Sequence, residues 1–440
     1  MADSVLRRRV GAAAGSYASI VLGFLGTIVA AHIFSTTGLG LYAIVIASTG
    51  FFQTFLDLTI EEALIKYGFR YIAREDWGRL RRLFRRTFVF KALGAILAGL
   101  ALVALAVFSK QVFHHQGLEH ALLVAAILPL VQSPEGIAGA PLYLRGRYDL
   151  RAGFLALSMG LRLLAIALGA PHGLAWTIAA IVAAQAVATA SLGVVGLLAF
   201  RRFPRAETQP LAEDARDILR FIAKSSGATG IVSLRTTLSQ MLIGMVSTIP
   251  QAAFFRAALA PQQAFNAVSA PIRMVLLTEQ TRDWERGDRA RVFAGVRKYT
   301  LLAAAGAAVL LPLLLVFMGP VVRLLFSAKN AGAIGAARII VVAGAVQFAV
   351  GWSKSFAVTI GRPQLRIWTH GLETIVLLPL VAVLGWKWGA AGASVGVLAS
   401  SVVFAAAWLI LFERIRHEPE PAAPGLPQEH SLGAELGAPS

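Results

Sequence analysis

The chain has 440 residues, of which 57% are hydrophobic and 15% are charged, whereas about 25% of residues are charged in an average soluble protein. Mean hydropathy is +0.68, and glycine and proline occur at near-ordinary frequencies. This composition argues against a soluble globular enzyme and against a disordered or fibrous chain. The lack of cysteine excludes disulfides, zinc–thiolate sites, iron–sulfur clusters and thiol nucleophiles.

The apolar residues come in blocks of about twenty, which is the length that a helix needs to cross the hydrocarbon core of a bilayer. We therefore predict an all-α polytopic membrane protein with 12 transmembrane helices. Twelve such blocks use roughly 240 residues and leave no room for a large soluble catalytic domain. The predicted spans are 11–34, 39–64, 87–108, 120–143, 152–170, 174–200, 221–246, 251–276, 299–318, 332–356, 369–385 and 391–412.

The net charge of +18 comes from 41 basic and 23 acidic residues. In a soluble protein it would suggest a nucleic-acid partner, but basic residues also mark the cytoplasmic loops of membrane proteins. Placing the N-terminus inside the cell puts 31 of the 41 bases in cytoplasmic segments or at the cytoplasmic ends of spans, and only four in outer loops. Both termini are therefore expected to be cytoplasmic, and no nucleic acid is expected as a partner.

An internal repeat indicates two pseudo-symmetric six-helix lobes, an arrangement that some transporters use to rock around a central site. Three pairs of short segments recur in the same order, at offsets of 209 to 216 residues: GRLRRLF with GDRARVF, GRYDLR with GRPQLR, and GAPHG with GWKWG. The predicted divisions are an N-lobe at 1–200, a cytoplasmic linker at 201–220, a C-lobe at 221–412 and a disordered cytoplasmic tail at 413–440.

Several segments resemble the polysaccharide (O-antigen-type) lipid-linked oligosaccharide flippases of the multidrug/oligosaccharidyl-lipid/polysaccharide (MOP) exporter superfamily. The segment from Thr36 to Ala73 contains the Gly38–Tyr42 turn, and the segment after Leu219 contains Arg235 followed by Ile243–Gly244 and Phe254–Phe255. The segment from Phe317 to Phe412 also fits, so the resemblance covers about residues 5–412.

The sequence departs from that family pattern in two ways. Ala253 and Phe254 stand where a Gly–Tyr pair is more usual, and 12 spans are predicted where many relatives have 14. The resemblance implies a V-shaped, two-lobed MATE-like fold in the inner membrane. It also implies export of an undecaprenyl-diphosphate-linked glycan, without identifying the glycan.

Ionisable residues inside spans cost at least about 2.5–3.5 kcal/mol each at the helix centre unless they are paired or hydrated. Glu135 and Arg162 flank one predicted turn at similar depths, and Lys354 and Glu373 flank its counterpart. Opposite charges at equal depth in one hairpin favour two structural ion pairs over substrate ligands.

Arg235, Arg256 and Arg273 have no obvious acidic partner in the sequence. Lys224 lies almost in phase with Arg235 on one helix, and Gln263 shares a face with Arg256. Such a face is expected to line a water-filled cavity, where guanidinium groups suit a diphosphate because they donate paired hydrogen bonds to its oxygens. The alternative for Arg256 and Arg273 is that they lie near span ends and reach the headgroups.

Gln53, Asp57 and Glu61 form a stripe at helical spacing. Asp57 and Glu61 are candidates for a proton or sodium coupling site, or for an intracellular gate that closes against Arg273 or a basic loop. Gly11 and Gly15 are expected to allow close helix packing.

No phosphate-binding loop, HExxH or GxSxG motif occurs in the sequence, so we expect no catalytic residues, no metal site and no cofactor. The leading hypothesis is a flippase that moves a polyprenyl-diphosphate-linked oligosaccharide between leaflets by alternating access. Expected partners are that glycan lipid and anionic membrane lipids, with other polysaccharide assembly proteins as candidates. The alternatives are a cation-coupled multidrug antiporter of the same superfamily and a membrane glycan polymerase or ligase.

Overall fold

The computed structural model of the chain describes residues 2–56, 60–211, 214–262, 280–281, 283–284, 286–362 and 364–418. Within these ranges, the structure does not describe every side chain, and those of Lys224 and Lys354 are among the ones it leaves out. The described residues form helices and contain no strand, so the predicted all-α class is confirmed.

The first 201 residues hold ten described helices, several of which are short segments separated by tight breaks. They are α1 (Ala2–Ile33), α2 (Thr36–Leu56), α3 (Ile60–Ala73), α4 (Trp77–Val107), α5 (Ser109–Phe113), α6 (Leu118–Ala125), α7 (Leu128–Gln132), α8 (Pro134–Leu144), α9 (Tyr148–Gly169) and α10 (Leu174–Arg201).

The rest of the described chain holds seven helices. They are α11 (Asp214–Ser233), α12 (Ser239–Val246), α13 (Ile249–Ala258), α14 (Arg289–Phe326), α15 (Ala333–Ala349), α16 (Ser353–Thr359) and α17 (Gln364–Arg416). A π-helical turn, Leu234–Leu238, joins α11 to α12. Helix α17 is broken at Gly389, where φ is 59° and ψ is −138°.

The break in α17 is the predicted outer turn GWKWG, and a glutamine from another helix caps it. The backbone N–H of Ala390 donates a hydrogen bond to Gln251 Oε1 at 2.8 Å. A Cβ at Gly389 would lie 2.4 Å from the same oxygen. The turn therefore needs glycine both for its positive φ and for the close approach of Gln251.

Eight helical segments of the described chain are long and apolar enough to cross a membrane, when α6 to α8 (Leu118–Leu144) are taken as one segment. Six of them coincide with the first six predicted spans, and Arg289–Phe326 contains the ninth. Helix α17 contains the last two predicted spans, 369–385 and 391–412, on either side of Gly389. The shorter apolar helix α15 lies within predicted span 332–356, and span 251–276 extends beyond the described residues, so the number twelve stays a prediction.

Several predicted spans have internal structure that hydropathy did not indicate. Predicted span 39–64 covers the end of α2 at Leu56 and the start of α3 at Ile60. Predicted span 221–246 contains the π-helical turn that carries Arg235. Hydropathy averages over about twenty residues and does not detect such local changes in helix geometry.

Helix α1 lies along α9, and small residues allow the close approach. A Cβ at Gly15 would lie 2.7 Å from the backbone carbon of Ala152, and one at Gly11 would lie 3.3 Å from Asp149 Cβ. The predicted packing role of Gly11 and Gly15 is confirmed. In a bilayer such contacts stabilise helix pairs because lipid gives little hydrophobic driving force for association.

Helices from before and after the predicted linker also pack directly against each other, chiefly through α2. A Cβ at Gly40 in α2 would overlap the backbone oxygen of Ile249 in α13, and a Cβ at Gly244 in α12 would lie 2.6 Å from Ile44 in α2. One apolar core contains residues from both sides of this contact, including Ile44 and Phe255, which are fully buried. Helix α2 therefore links the residues before the linker to those after it.

Candidate functional site

Arg235 lies in the π-helical turn between α11 and α12, which widens the helix where this side chain leaves it. Its Nη1 donates a hydrogen bond to Glu373 Oε1 of α17 at 2.5 Å. Only 17% of the Arg235 side chain and 1% of the Glu373 side chain are exposed. The arginine predicted to be unpaired is therefore neutralised by a buried carboxylate.

Glu373 uses both of its oxygens. Oε1 also accepts a hydrogen bond from Gln347 Nε2 at 3.1 Å, and Oε2 lies 3.1 Å from His370 Nδ1. Gln347 in turn donates to Ser401 Oγ at 3.0 Å. We call Arg235, Gln347, His370 and Glu373 the C-terminal polar cluster.

A cavity of about 110 Å³ adjoins the C-terminal polar cluster. Arg235, Gln347 and Glu373 line it together with Gln240 of α12 and Gln262. Gln262 Nε2 donates to Gln347 Oε1 at 3.1 Å. The cavity thus has amide groups on several walls and one compensated ion pair.

Arg256 of α13 reaches the same region from another direction. Its Nη1 donates to Gln240 Oε1 at 2.9 Å. Tyr42 of α2 and Arg162 of α9 lie near enough to act on it electrostatically. Among the described residues no carboxylate lies within ion-pair distance of Arg256 or Arg162, so both charges lack a carboxylate partner there.

The predicted pairing of Glu135 with Arg162 differs from the structure. Glu135 Oε1 lies 3.2 Å from Arg151 Nη1, and Oε2 accepts from Gln185 Nε2 at 3.0 Å. Arg151 can reach along α8 because Gly139 lacks a side chain: a Cβ there would lie 2.5 Å from Arg151 Nε. We call Glu135, Arg151 and Gln185 the N-terminal polar cluster.

Glu373 is bonded to Arg235, Gln347 and His370, and its predicted pairing with Lys354 stays a prediction. The side chain of Lys354 lies outside the description. Helix α17 packs against α11 and the π-helical turn. A pairing rule based on hairpin neighbours overlooked that contact.

Glu61 lies in the first turn of α3, close to a lysine of α4. A Cβ at Gly136 would lie 2.6 Å from Glu61 Oε2 and 3.0 Å from Lys91 Nζ, so the two charged groups converge on one glycine. Lys91 is only 8% exposed. The stripe predicted for Gln53, Asp57 and Glu61 cannot be followed, because Asp57 lies outside the described residues.

Other predicted site residues also lie outside the described part of the chain. Arg273 and Gln263 are not described, and neither is the side chain of Lys224. Within the described residues, no group of three or more His, Asp or Glu side chains could hold a metal ion. Sequence reasoning missed His370, Gln347 and Gln240. Their signal is a polar side chain within a long apolar run, which is costly in a bilayer unless it has a partner.

One ion-pair site outside the spans ties the linker to the N-terminal helices. Asp214 lies 3.4 Å from Arg70 Nη1 and 3.8 Å from Arg79 Nη1, and Tyr71 Oη donates to it at 3.1 Å. Burial, and then this hydrogen bond, raise the pKa of Tyr71 above its usual value. The predicted linker 201–220 thus includes the first turns of α11, which are anchored through Asp214.

A family model described as Polysaccharide biosynthesis protein matches residues 11–277. No curated protein matches the chain significantly in sequence. Among solved structures, an inward-facing multidrug resistance MATE family transporter of the MOP superfamily is similar, with a TM-score of 0.75 and 13% identity over 90% of this chain and 94% of the transporter.

Two further solved structures have the same fold. The lipid II flippase MurJ, in an inward closed conformation, has a TM-score of 0.70 and 11% identity over 91% of this chain and 87% of MurJ. A MOP superfamily transporter from Pyrococcus furiosus, whose binding pocket of reverse polarity is said to suggest a different function, has a TM-score of 0.61 and 12% identity over 94% of this chain and 95% of that protein. At these identities the likeness shows a shared fold.

Proposed function

This chain belongs to the family of polysaccharide biosynthesis proteins, and from that membership we propose that it moves a polyprenyl-diphosphate-linked oligosaccharide from the inner to the outer leaflet. The resemblance read from the sequence is thereby confirmed at the level of the family. The chain is a multi-pass membrane protein with the fold of MOP-superfamily transporters. The substrate, its direction and its binding residues form the proposal.

Alternating access between two six-helix lobes, 1–200 and 221–412, would expose a central site first to one side and then to the other. With both termini in the cytoplasm, the contact of α2 with α13 lies toward the outer side, and the Asp214 contacts with α3 and α4 lie toward the inner side. Rocking would break the first contact while the second holds. We place the protein in the inner membrane because its family resemblance implies that location.

The observation that carries the proposal is that Arg256, and Arg162 whose charge acts on it, have no carboxylate within ion-pair distance among the described residues. Two uncompensated guanidinium groups in a low-dielectric interior repel each other, so an anion between them relieves a cost instead of adding one. A diphosphate suits such a pair because each guanidinium donates two parallel hydrogen bonds to phosphate oxygens. Arg256 also links the pair to the amide-lined cavity through Gln240.

Arg235 has a different part in this proposal from the one that the sequence predicted. Glu373 neutralises the charge of Arg235, so Arg235 would have to leave Glu373 in order to contact a diphosphate. Glu373 would then keep only its hydrogen-bond contacts with His370 and Gln347 among these residues. Arg273, Lys224 and Gln263 stay proposed substrate contacts. Asp57 and Glu61 stay proposed coupling or gating groups for protons or sodium.

The multidrug antiporter is the second candidate, since a MATE transporter shares the fold with a TM-score of 0.75. Arg162 and Arg256 oppose it because they would repel a cationic drug. The glycan polymerase or ligase is less well supported, because the solved structures that share the fold carry the names of transporters and a flippase. Other polysaccharide assembly proteins would supply and use the lipid-linked glycan.

The proposal is tested in proteoliposomes that contain a fluorescent undecaprenyl-diphosphate oligosaccharide, whose arrival in the other leaflet is detected with a membrane-impermeant quencher. We expect Arg256→Gln to slow transfer at least about tenfold, which corresponds to the loss of one charge-assisted contact. Arg323→Gln is the matched control, since Arg323 is an exposed arginine near the end of α14.

Absence of glycan-lipid transfer by the wild-type protein, together with ethidium efflux, would overturn the flippase in favour of the antiporter. Equal rates for Arg256→Gln and Arg323→Gln would overturn the diphosphate contact alone. Coupling is read from the same vesicles with an imposed proton or sodium gradient. Asp57→Asn and Glu61→Gln must remove the response to that gradient, and an unchanged response rejects both residues.

A further inference from the structure

A larger recess lies between the start of α14 and the end of α17, and it shares no lining residue with the cavity beside the C-terminal polar cluster. It has a volume of about 1250 Å³. One wall carries Arg297, Lys298 and Leu301 of α14, and the other carries Leu409 and Arg416 of α17. We call this recess the α14–α17 groove.

The rim of the groove has surplus positive charge. Glu413 is already held by Arg416 and His417, each at 3.6 Å, and Glu418 is held by Arg362 at 2.7 Å. Within the described chain no carboxylate lies within ion-pair distance of Arg297 or Lys298, and both side chains are exposed. Two cations are therefore free to bind an anion.

Arg289 fixes the two walls relative to each other. Its guanidinium donates to the backbone oxygens of Ile415 at 3.2 Å and Glu418 at 3.4 Å, at the end of α17 where helix carbonyls lack partners. The same group stacks over Trp284, with its carbon 5.2 Å from the ring centre. The groove is thus a formed recess and not a gap between two independently moving helix ends.

Deeper along both walls the lining changes from charged to apolar. Leu301 and Leu302 follow Lys298 by about one helical turn and are 61% and 64% exposed, and Leu409 precedes Glu413 by one turn and is 48% exposed. Exposed leucines on a membrane-spanning helix face hydrocarbon. From the rim inward, both walls therefore present first a charged zone and then an apolar surface.

We propose that the α14–α17 groove binds an anionic membrane phospholipid, with its phosphate between Arg297 and Lys298 and its acyl chains along the leucines. The two zones match the two parts of such a lipid, and basic recesses between transmembrane helices are known to hold anionic headgroups. This site is separate from the proposed path of the glycan lipid, so it can fail without affecting the proposed function.

Native mass spectrometry of the full-length protein in detergent measures the binding of dioleoyl phosphatidylglycerol and dioleoyl phosphatidylcholine. We expect the anionic lipid to bind more tightly, and Arg297→Gln with Lys298→Gln to weaken it at least about tenfold, since each basic residue contributes to the attraction. The matched control is Arg85→Gln with Arg86→Gln, an adjacent exposed pair on α4 that does not line the groove. We expect the control to change affinity less than twofold.

Two probes separate a lipid site from a phosphate site. Inorganic phosphate and dihexanoyl phosphatidylglycerol should compete poorly with the dioleoyl lipid, because they lack the chains that would contact Leu301 and Leu409. Equal losses in the groove variant and the control would show diffuse attraction to the protein's positive charge and overturn the site. Effective competition by inorganic phosphate would reduce the site to a free-phosphate site and overturn the lipid assignment.

Discussion

The N-terminal and C-terminal polar clusters both neutralise a glutamate inside the helical structure, but they differ in burial and in the number of partners. Each surrounds one glutamate with an arginine and a glutamine: Arg151 and Gln185 around Glu135, and Arg235 and Gln347 around Glu373. Glu135 and Arg151 are each 12% exposed, whereas Glu373 is 1% exposed and has His370 as a further partner. Both clusters neutralise their own charge, which is typical of structural ion pairs.

This comparison identifies the residues whose charge is left over. Arg162 and Arg256 belong to neither cluster and come from opposite sides of the linker, and neither has a carboxylate partner among the described residues. The clusters therefore account for the folding of the charged helices, and the remaining pair is the better candidate for an anionic substrate.

The largest expected effect separates the two glutamates. Glu373→Leu leaves Arg235 buried without its carboxylate, and we expect it to cost about 3–5 kcal/mol of stability. Glu135→Leu should cost less, because Glu135 is 12% exposed against 1% for Glu373 and because His370 loses its partner only when Glu373 is removed. Thermal unfolding in detergent measures both.

The double variant Arg235→Met with Glu373→Leu keeps the first prediction testable if the single variant does not fold. Removing both charges should restore most of the lost stability, because neither charge is left buried alone. A double variant as unstable as Glu373→Leu would show that the ion pair is not what stabilises this cluster.

A smaller effect tests why the N-terminal cluster has its unexpected pairing. Gly139→Ala places a Cβ where Arg151 now passes, and we expect a loss of about 1–2 kcal/mol as the contact with Glu135 is displaced. Gly153→Ala on α9 meets nothing within 4 Å and should stabilise its helix by about 0.5–1 kcal/mol. If both substitutions stabilise the protein, Arg151 does not depend on Gly139.

The ion-pair site at Asp214 lies outside the spans, and a smaller effect is expected there. Asp214 is 17% exposed and contacts two arginines and Tyr71, so Asp214→Asn should loosen the linker at a cost of about 1 kcal/mol. Faster limited proteolysis between 201 and 211 would report the loosening. Asp217→Asn is the control, because that carboxylate is 60% exposed and its ion pair among the described residues is with an exposed arginine at 3.5 Å. Equal cleavage rates for the two variants would contradict the anchor.

The smallest expected effect is at the ion pair between Arg362 and Glu418. The hydrogen bond from Arg362 lowers the pKa of Glu418, so the pair's contribution to stability is complete above the ordinary carboxyl pKa of about 4.3 and is lost as the pH falls through the lowered value. Both side chains are more than a third exposed, and water screens the pair. The unfolding midpoints of wild type and Arg362→Gln should differ slightly at pH 7 and converge at pH 3. A difference that grows on acidification would contradict this.

The sequence predicted the parts of the fold that depend on local composition. Blocks of apolar residues located the helices, and the small residues Gly11 and Gly15 predicted the contact of α1 with α9. The pairing of Glu135 with Arg162 was predicted wrongly and that of Glu373 with Arg235 was not predicted, because ion pairs depend on which helices become neighbours and on the space between them. Arg235 and Glu373 are 138 residues apart in sequence, and Arg151 reaches Glu135 only because Gly139 has no side chain. No periodicity in the sequence reports either fact.

The central claim is that the uncompensated pair Arg162 and Arg256, and not the compensated Arg235, binds the diphosphate. Equilibrium binding of undecaprenyl diphosphate to the purified protein tests this most directly, with Arg256→Gln, Arg162→Gln and Arg235→Gln measured beside the wild type. We expect each of the first two variants to weaken binding at least about tenfold, because each removes a charge-assisted contact, and Arg235→Gln to weaken it less. Wild-type affinity in Arg256→Gln and Arg162→Gln, with the loss confined to Arg235→Gln, would contradict the account.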